Sequence, residues 1–79
     1  FLKVTVSLEM SSPDVRFELN KNIKKITDSI LLLLSTKVFK DVYSVQGKFT
    51  LKSEITTRVN QFLTKGVVKG AYFTEFIIQ

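Results

Sequence analysis

A chain of 79 residues is one domain, and at that length folding buries only about 60% of the surface that the unfolded chain exposes. It contains no cysteine and no histidine, which excludes disulfide and zinc staples and removes the commonest general base, metal ligands and thiol nucleophile, so catalysis is not expected. Twelve Lys and Arg against seven Asp and Glu give a net charge of +5, which permits attraction to phosphates or acidic lipid headgroups but specifies neither.

The opening "FLKVTVSLEM" alternates strictly, with Leu2, Val4, Val6, Leu8 and Met10 on one face and Lys3, Thr5, Ser7 and Glu9 on the other. That is a half-buried strand. Because this strand is already under way at Phe1, which is not a methionine, the numbered chain is expected to be part of a longer protein, with room upstream for a signal or anchor. In "SSPD", Ser12 can cap a helix, Pro13 suits its first turn and Asp14 favours the positive end of its dipole. Val15, Leu19, Ile23, Ile26, Ile30 and Leu33 or Leu34 then recur at three- and four-residue spacing, which predicts one helix to about residue 35. Its "ILLLL", Ile30 to Leu34, is apolar on every side. Five such residues cannot span a bilayer, which needs about 20, so either the second helix or a neighbouring subunit must cover them.

"STKVFKDVYSVQG" has no clean period. Val38 and Val42 fall on one strand face and Phe39, Tyr43 and Val45 on the other, which reads as a short edge strand. Ser44 caps a second helix whose stripe is Leu51, Ile55, Val59 and Phe62 or Leu63, stopping near Gly66. Val67 to Gln79 closes the chain as a strand, with Tyr72, Thr74, Phe76 and Ile78 inward and Ala71, Phe73, Glu75 and Ile77 on the opposite face. The expected fold class is α/β (α+β): a small mixed sheet with two main helices, in the order β-α-(β)-α-β.

The closing "KGAYFTEFIIQ" invites comparison with the RNA-recognition strand motif, and Lys69, Gly70, Phe73 and Phe76 match it. Ala71 stands where the first stacking aromatic belongs, Tyr72 replaces a small residue and Thr74 replaces valine. The chain also ends where that motif is followed by a helix and a strand. One stacking ring is lost, which leaves a small RNA or single-stranded nucleic-acid-binding module as the alternative rather than the main reading. Glu75 between Phe73 and Ile77 reads as an edge carboxylate, and Lys21, Lys24 and Lys25 as a solvated helix face with Lys24 and Asp28 spaced to interact.

Taken in order, the strand Phe1 to Met10, the Ser12 to Asp14 helix start, the Ile/Leu run Ile30 to Leu34 followed by Ser35, Gly47–Lys48 before the second helix and the terminal "YFTEF" resemble the periplasmic domain of the FliL family, flagellar basal body-associated proteins. The resemblance covers nearly the whole chain. It departs where Val45 and Gln46 stand in place of a Pro-Glu that often precedes the Gly-Lys.

The resemblance implies a stomatin-like scaffold domain, residues 1–79, in the periplasm below an inner-membrane anchor that the numbered chain lacks. The implied partners are other copies of itself in a ring and the stator proteins (MotA and MotB) of the flagellar motor, whose engagement and torque it supports. No catalytic, cofactor or metal residues come with the family, and no nucleic-acid partner is expected. The apolar surplus makes Ile30, Leu31, Leu32, Phe73 and Ile77 the candidate self-association residues.

Overall fold

β1 (Leu2–Met10) follows the alternation read from the sequence: its even-numbered apolar residues are half-buried and its polar residues are exposed. The computed structural model describes residues 1–79. It continues with α1 (Pro13–Lys21), α2 (Ile23–Ser35), α3 (Phe39–Tyr43), α4 (Val45–Asn60) and β2 (Val68–Ile78). The class is mixed α and β, as expected. The sheet, however, has only two strands, the first and last elements, paired antiparallel. Their union brings the chain ends together, since the Gln79 N–H donates to the Phe1 carbonyl at 2.8 Å. No helix is long and apolar enough to cross a membrane.

The register explains both what the alternation of β2 reveals and what it hides. β1 has 9 residues and β2 has 11, so two residues of β2 are surplus. They fall at the two irregularities in the pairing, one at Thr74 and one at Lys69. Each such β-bulge resets which residues face inward. Five apolar pairs consequently meet on the inner face: Leu2 with Ile78, Val4 with Phe76, Val6 with Phe73, Leu8 with Ala71, and Met10 with Val68. Phe76 and Ile78 point inward as expected, and Glu75 and Ile77 outward. Before the Thr74 bulge the expected faces are inverted, with Tyr72 exposed and Phe73 and Ala71 turned to the core. Phe73 and Phe76 meet edge to face, ring centroids 5.2 Å apart.

The helices cover that inner face. α4 supplies the stripe Leu51, Ile55 and Val59, all fully buried, and packs against β2, α2 and α3. Val15, Ile26, Leu33, Val42 and Val68 complete the core. The single long helix expected over residues 12 to 35 is two helices. At Asn22 the side-chain amide donates to the Glu18 carbonyl at 3.0 Å, and the backbone leaves helical geometry for one residue. The break re-aims α2, so Ile26 and Leu33 are buried while Ile23, part of the expected stripe, is exposed. Ser12 occupies the cap position of α1, but its hydroxyl makes no capping bond and is the one buried side-chain polar atom without a partner.

The expected edge strand over residues 38 to 45 is α3. Asp41 accepts the Val38 N–H at 3.1 Å, satisfying a helix-start donor, and Val42 turns into the core. Ser44 does cap α4, accepting the Gly47 N–H at 2.9 Å. That helix ends at Asn60 rather than near Gly66, which lies beyond it in the turn into β2 with φ +156°. A side chain at Gly66 would meet Ser11 Oγ and Val15 Cγ2 at 2.7 Å, so glycine is required there on both counts.

The turn is tied to α1 by Glu18. Its carboxylate accepts the Thr64 hydroxyl at 2.6 Å, the Thr64 N–H at 2.8 Å and the Lys65 N–H at 2.9 Å. The Thr64 hydroxyl, then the Lys65 amide, hold its pKa below the ordinary carboxylate range. A depressed folded-state pKa stabilises the fold above the unfolded value, and that contribution disappears as pH falls through the folded value. Glu18→Gln is therefore expected to lower the melting temperature at neutral pH, and the gap from the parent should close on acidification. A gap constant with pH would show that the charge on Glu18 contributes nothing.

Candidate functional site

Two interactions fix the outer face of α2. Lys37, just beyond its end, bonds Glu54 of α4 at 2.6 Å with its side chain only 16% exposed. The Arg58 guanidinium, also on α4, donates to the carbonyl and hydroxyl of Ser29 at 3.1 and 3.3 Å. With Ile26 and Leu33 held against α4 in this way, helical geometry turns Leu31 and Leu32 to the far side. Both are 59% exposed.

Of the five residues singled out for self-association, Leu31 and Leu32 form this exposed pair, and Ile77 lies on the outer sheet face at 36% exposure, opposite Lys3. Ile30 and Phe73 are turned away from solvent and pack on the core. The "ILLLL" run is thus divided: Ile30, Leu33 and Leu34 are covered within the chain, and the middle two leucines are not.

A second apolar area escaped the sequence reading. On α3 the Phe39 and Tyr43 rings stack at 5.1 Å, 62% and 64% exposed, with Val38 and Val45 exposed on either side. The i, i+4 spacing of the two aromatics is the signal that would have identified them as neighbours on one helical turn. Apolar side chains clustered in this way are uncommon on a monomer's surface.

On the outer sheet face the carboxylate and the phenol of β2 are engaged by neighbours on β1. Glu75 accepts the Thr5 hydroxyl at 3.0 Å and pairs with Lys3 at 3.6 Å, as an edge carboxylate would. Tyr72 donates its hydroxyl to Glu9 at 2.7 Å, a bond that raises the tyrosine pKa. With Phe73 and Phe76 on the inner face, the sheet presents no open pair of rings for base stacking, and the nucleic-acid reading drawn from that strand loses its structural basis. Lys21, Lys24 and Lys25 are exposed and Lys24 forms no ion pair with Asp28. No three or more His, Cys, Asp or Glu side chains come together in a way that could hold a metal.

Comparison with known proteins agrees along the entire length. The family model for the flagellar basal body-associated protein FliL matches residues 1–79. The chain is 33% identical to the flagellar protein FliL of Aquifex aeolicus (strain VF5) over 79 residues, which is all of this chain and 49% of that protein. It is 28% identical to the flagellar protein FliL of Bacillus subtilis (strain 168) over 78 residues, 99% of this chain and 56% of that protein. It thus spans about half the length of these curated relatives. A match that runs unbroken through the strand pair, the apolar run of α2 and the capped α4 shows that the chain belongs to the FliL family of flagellar basal body-associated proteins.

Proposed function

We propose that this domain is a structural component of the bacterial flagellar basal body, held in the periplasm by an inner-membrane anchor upstream of Phe1. There it assembles with copies of itself into a closed ring around the stator unit and supports stator engagement and torque. The family match over residues 1–79 carries the flagellar part of this reading. The assembly part rests on the two exposed apolar areas, Leu31–Leu32 on α2 and Phe39–Tyr43 on α3.

A ring requires heterologous contacts, in which two different patches on each copy are complementary. One leucine pair and one aromatic pair on separate helices meet that requirement, because aromatic rings pack well on branched aliphatic side chains. Neither patch is large, so the isolated domain is expected to be monomeric at low concentration. Tethering to a membrane raises the effective concentration enough for weak contacts to close the ring.

The test is the double variant Leu31→Glu, Leu32→Glu in the full-length protein. Both side chains are exposed, so the circular dichroism spectrum should be that of the parent, while cross-linked rings in membranes and swimming under load should both be lost. Rings and loaded motility that persist would remove α2 from the contact. A parent protein that never forms a closed oligomer would overturn the assembly reading itself.

A further inference from the structure

The fold leaves a groove of about 410 Å³ between α4 and the first half of β2 that the assembly reading does not use. Phe49, Ser53 and Thr57 line it from α4 at i, i+4 and i+8, so an aromatic ring and two hydroxyls follow one another along a single ridge of the helix. Lys52 stands beside that ridge, and Lys69 and Gly70 line the groove from the strand. No carboxylate is among the lining residues, and neither lysine forms an ion pair.

Lys52 is positioned by aromatic rings instead. Its ammonium lies 5.5 Å from the ring centre of Phe49, 5.6 Å from that of Tyr72 and 6.0 Å from that of Phe73. Such contacts restrict a long side chain without neutralising its charge. Lys69 is one of the two surplus residues of β2, and bulges often re-aim a side chain at functional sites. At Gly70 the fold does not require glycine. Its φ is not positive, and a Cβ there would meet only the Tyr72 hydroxyl, at an ordinary 3.9 Å. Glycine in a strand interior weakens the strand and marks a bulge, here at the adjacent Lys69, or a place where another group approaches closely, and its missing side chain leaves the floor of the groove open.

We propose that this groove binds an anionic saccharide. The two unpaired ammonium groups recognise a carboxylate or phosphate, the Ser53 and Thr57 hydroxyls bond ring hydroxyls, and the exposed Phe49 face takes the C–H face of the sugar ring. A simple anion would use the lysines alone, and a neutral sugar would leave two unpaired cations without a partner. Only a ligand with both features engages the whole lining.

The experiment is a titration of the isotope-labelled chain followed by amide chemical shifts, with glucuronic acid, glucose 6-phosphate, glucose and inorganic phosphate as probes. At least one anionic sugar should give saturable shifts at residues 49–57 and 69–71. Glucose and inorganic phosphate should each bind about tenfold more weakly or worse, the factor that about 1.4 kcal/mol of lost interaction produces. Preference for glucuronic acid identifies a carboxylate-bearing source, and preference for glucose 6-phosphate a phosphorylated one. Lys69→Gln and Gly70→Val should retain the parent's spectrum elsewhere and each weaken binding by a similar factor. Absence of saturable binding by either anionic sugar overturns the proposal. So does binding of inorganic phosphate with equal affinity, shifts centred on Lys21, Lys24 and Lys25, or affinity unchanged in both variants.

Discussion

Gly47→Ala should unfold much of the corner between α3 and α4 and lower the stability of the whole domain by about 3 kcal/mol or more, beyond the usual range for a single overpacked methyl. The added Cβ would overlap the Asp41 carbonyl oxygen and lie 2.6 Å from its carbon, both backbone atoms that cannot rotate away. The third neighbour, Ser44 Oγ at 2.8 Å, is the cap that accepts the Gly47 N–H. Relief therefore requires α3 to lift off α4, which withdraws Val42 from the core. For a chain of 79 residues the total stability is roughly 4–12 kcal/mol, so the urea midpoint should drop steeply. Ser44→Ala, which removes only the cap, should cost about 1 kcal/mol. A Gly47→Ala midpoint no lower than that of Ser44→Ala would show that α3 does not press on α4 as described.

The elements that the sequence makes legible are those in which one period runs undisturbed. β1 alternates strictly over its length, and α4 repeats its buried residues at Leu51, Ile55 and Val59 behind a serine cap, so both are legible, although α4 stops at Asn60, short of the expected end near Gly66. The segment around Val38 and Val42 is different. A spacing of four is an even number, which suits a strand face, and is also close to one helical turn, so a piece this short satisfies both periods. What decides it is the Asp41 side chain closing back on Val38, a local bond competing with extended structure.

Asn22 hides in the same way. The three- and four-residue spacing of the apolar stripe continues on both sides of the break, and only the one-residue change of backbone direction turns Ile23 outward. In β2 the alternation is genuine but is reset at Lys69 and again at Thr74, and no residue type announces a bulge at either place. This is why Phe73, a contact candidate by period, packs on the core, whereas Leu31 and Leu32, with the core stripe of α2 on their opposite side, are exposed. A charge placed at Phe73 would disrupt the domain and say nothing about assembly.

Leu51→Ala should be the most damaging of the simple truncations, costing about 2–5 kcal/mol, the range for a fully buried leucine, and leaving a marginal domain substantially unfolded. Leu51 is 1% exposed and heads the stripe of the only helix that packs against β2, α2 and α3 together. A cavity there is bounded on several sides by rigid elements, so collapse recovers little of the lost contact. Leu31→Ala removes the same atoms from a side chain that already faces solvent, and its effect should stay within about 0.5 kcal/mol. Urea denaturation of the two variants side by side measures the contrast directly, and equal midpoints would show that α2 and α4 have been assigned the wrong faces. The contrast also separates stability from assembly. Residues that hold the domain together lie on the inner sides of α2 and α4, and the exposed apolar residues lie on the outer side of α2 and on α3, so substitutions at Leu31 and Leu32 test the proposed ring while each copy stays folded.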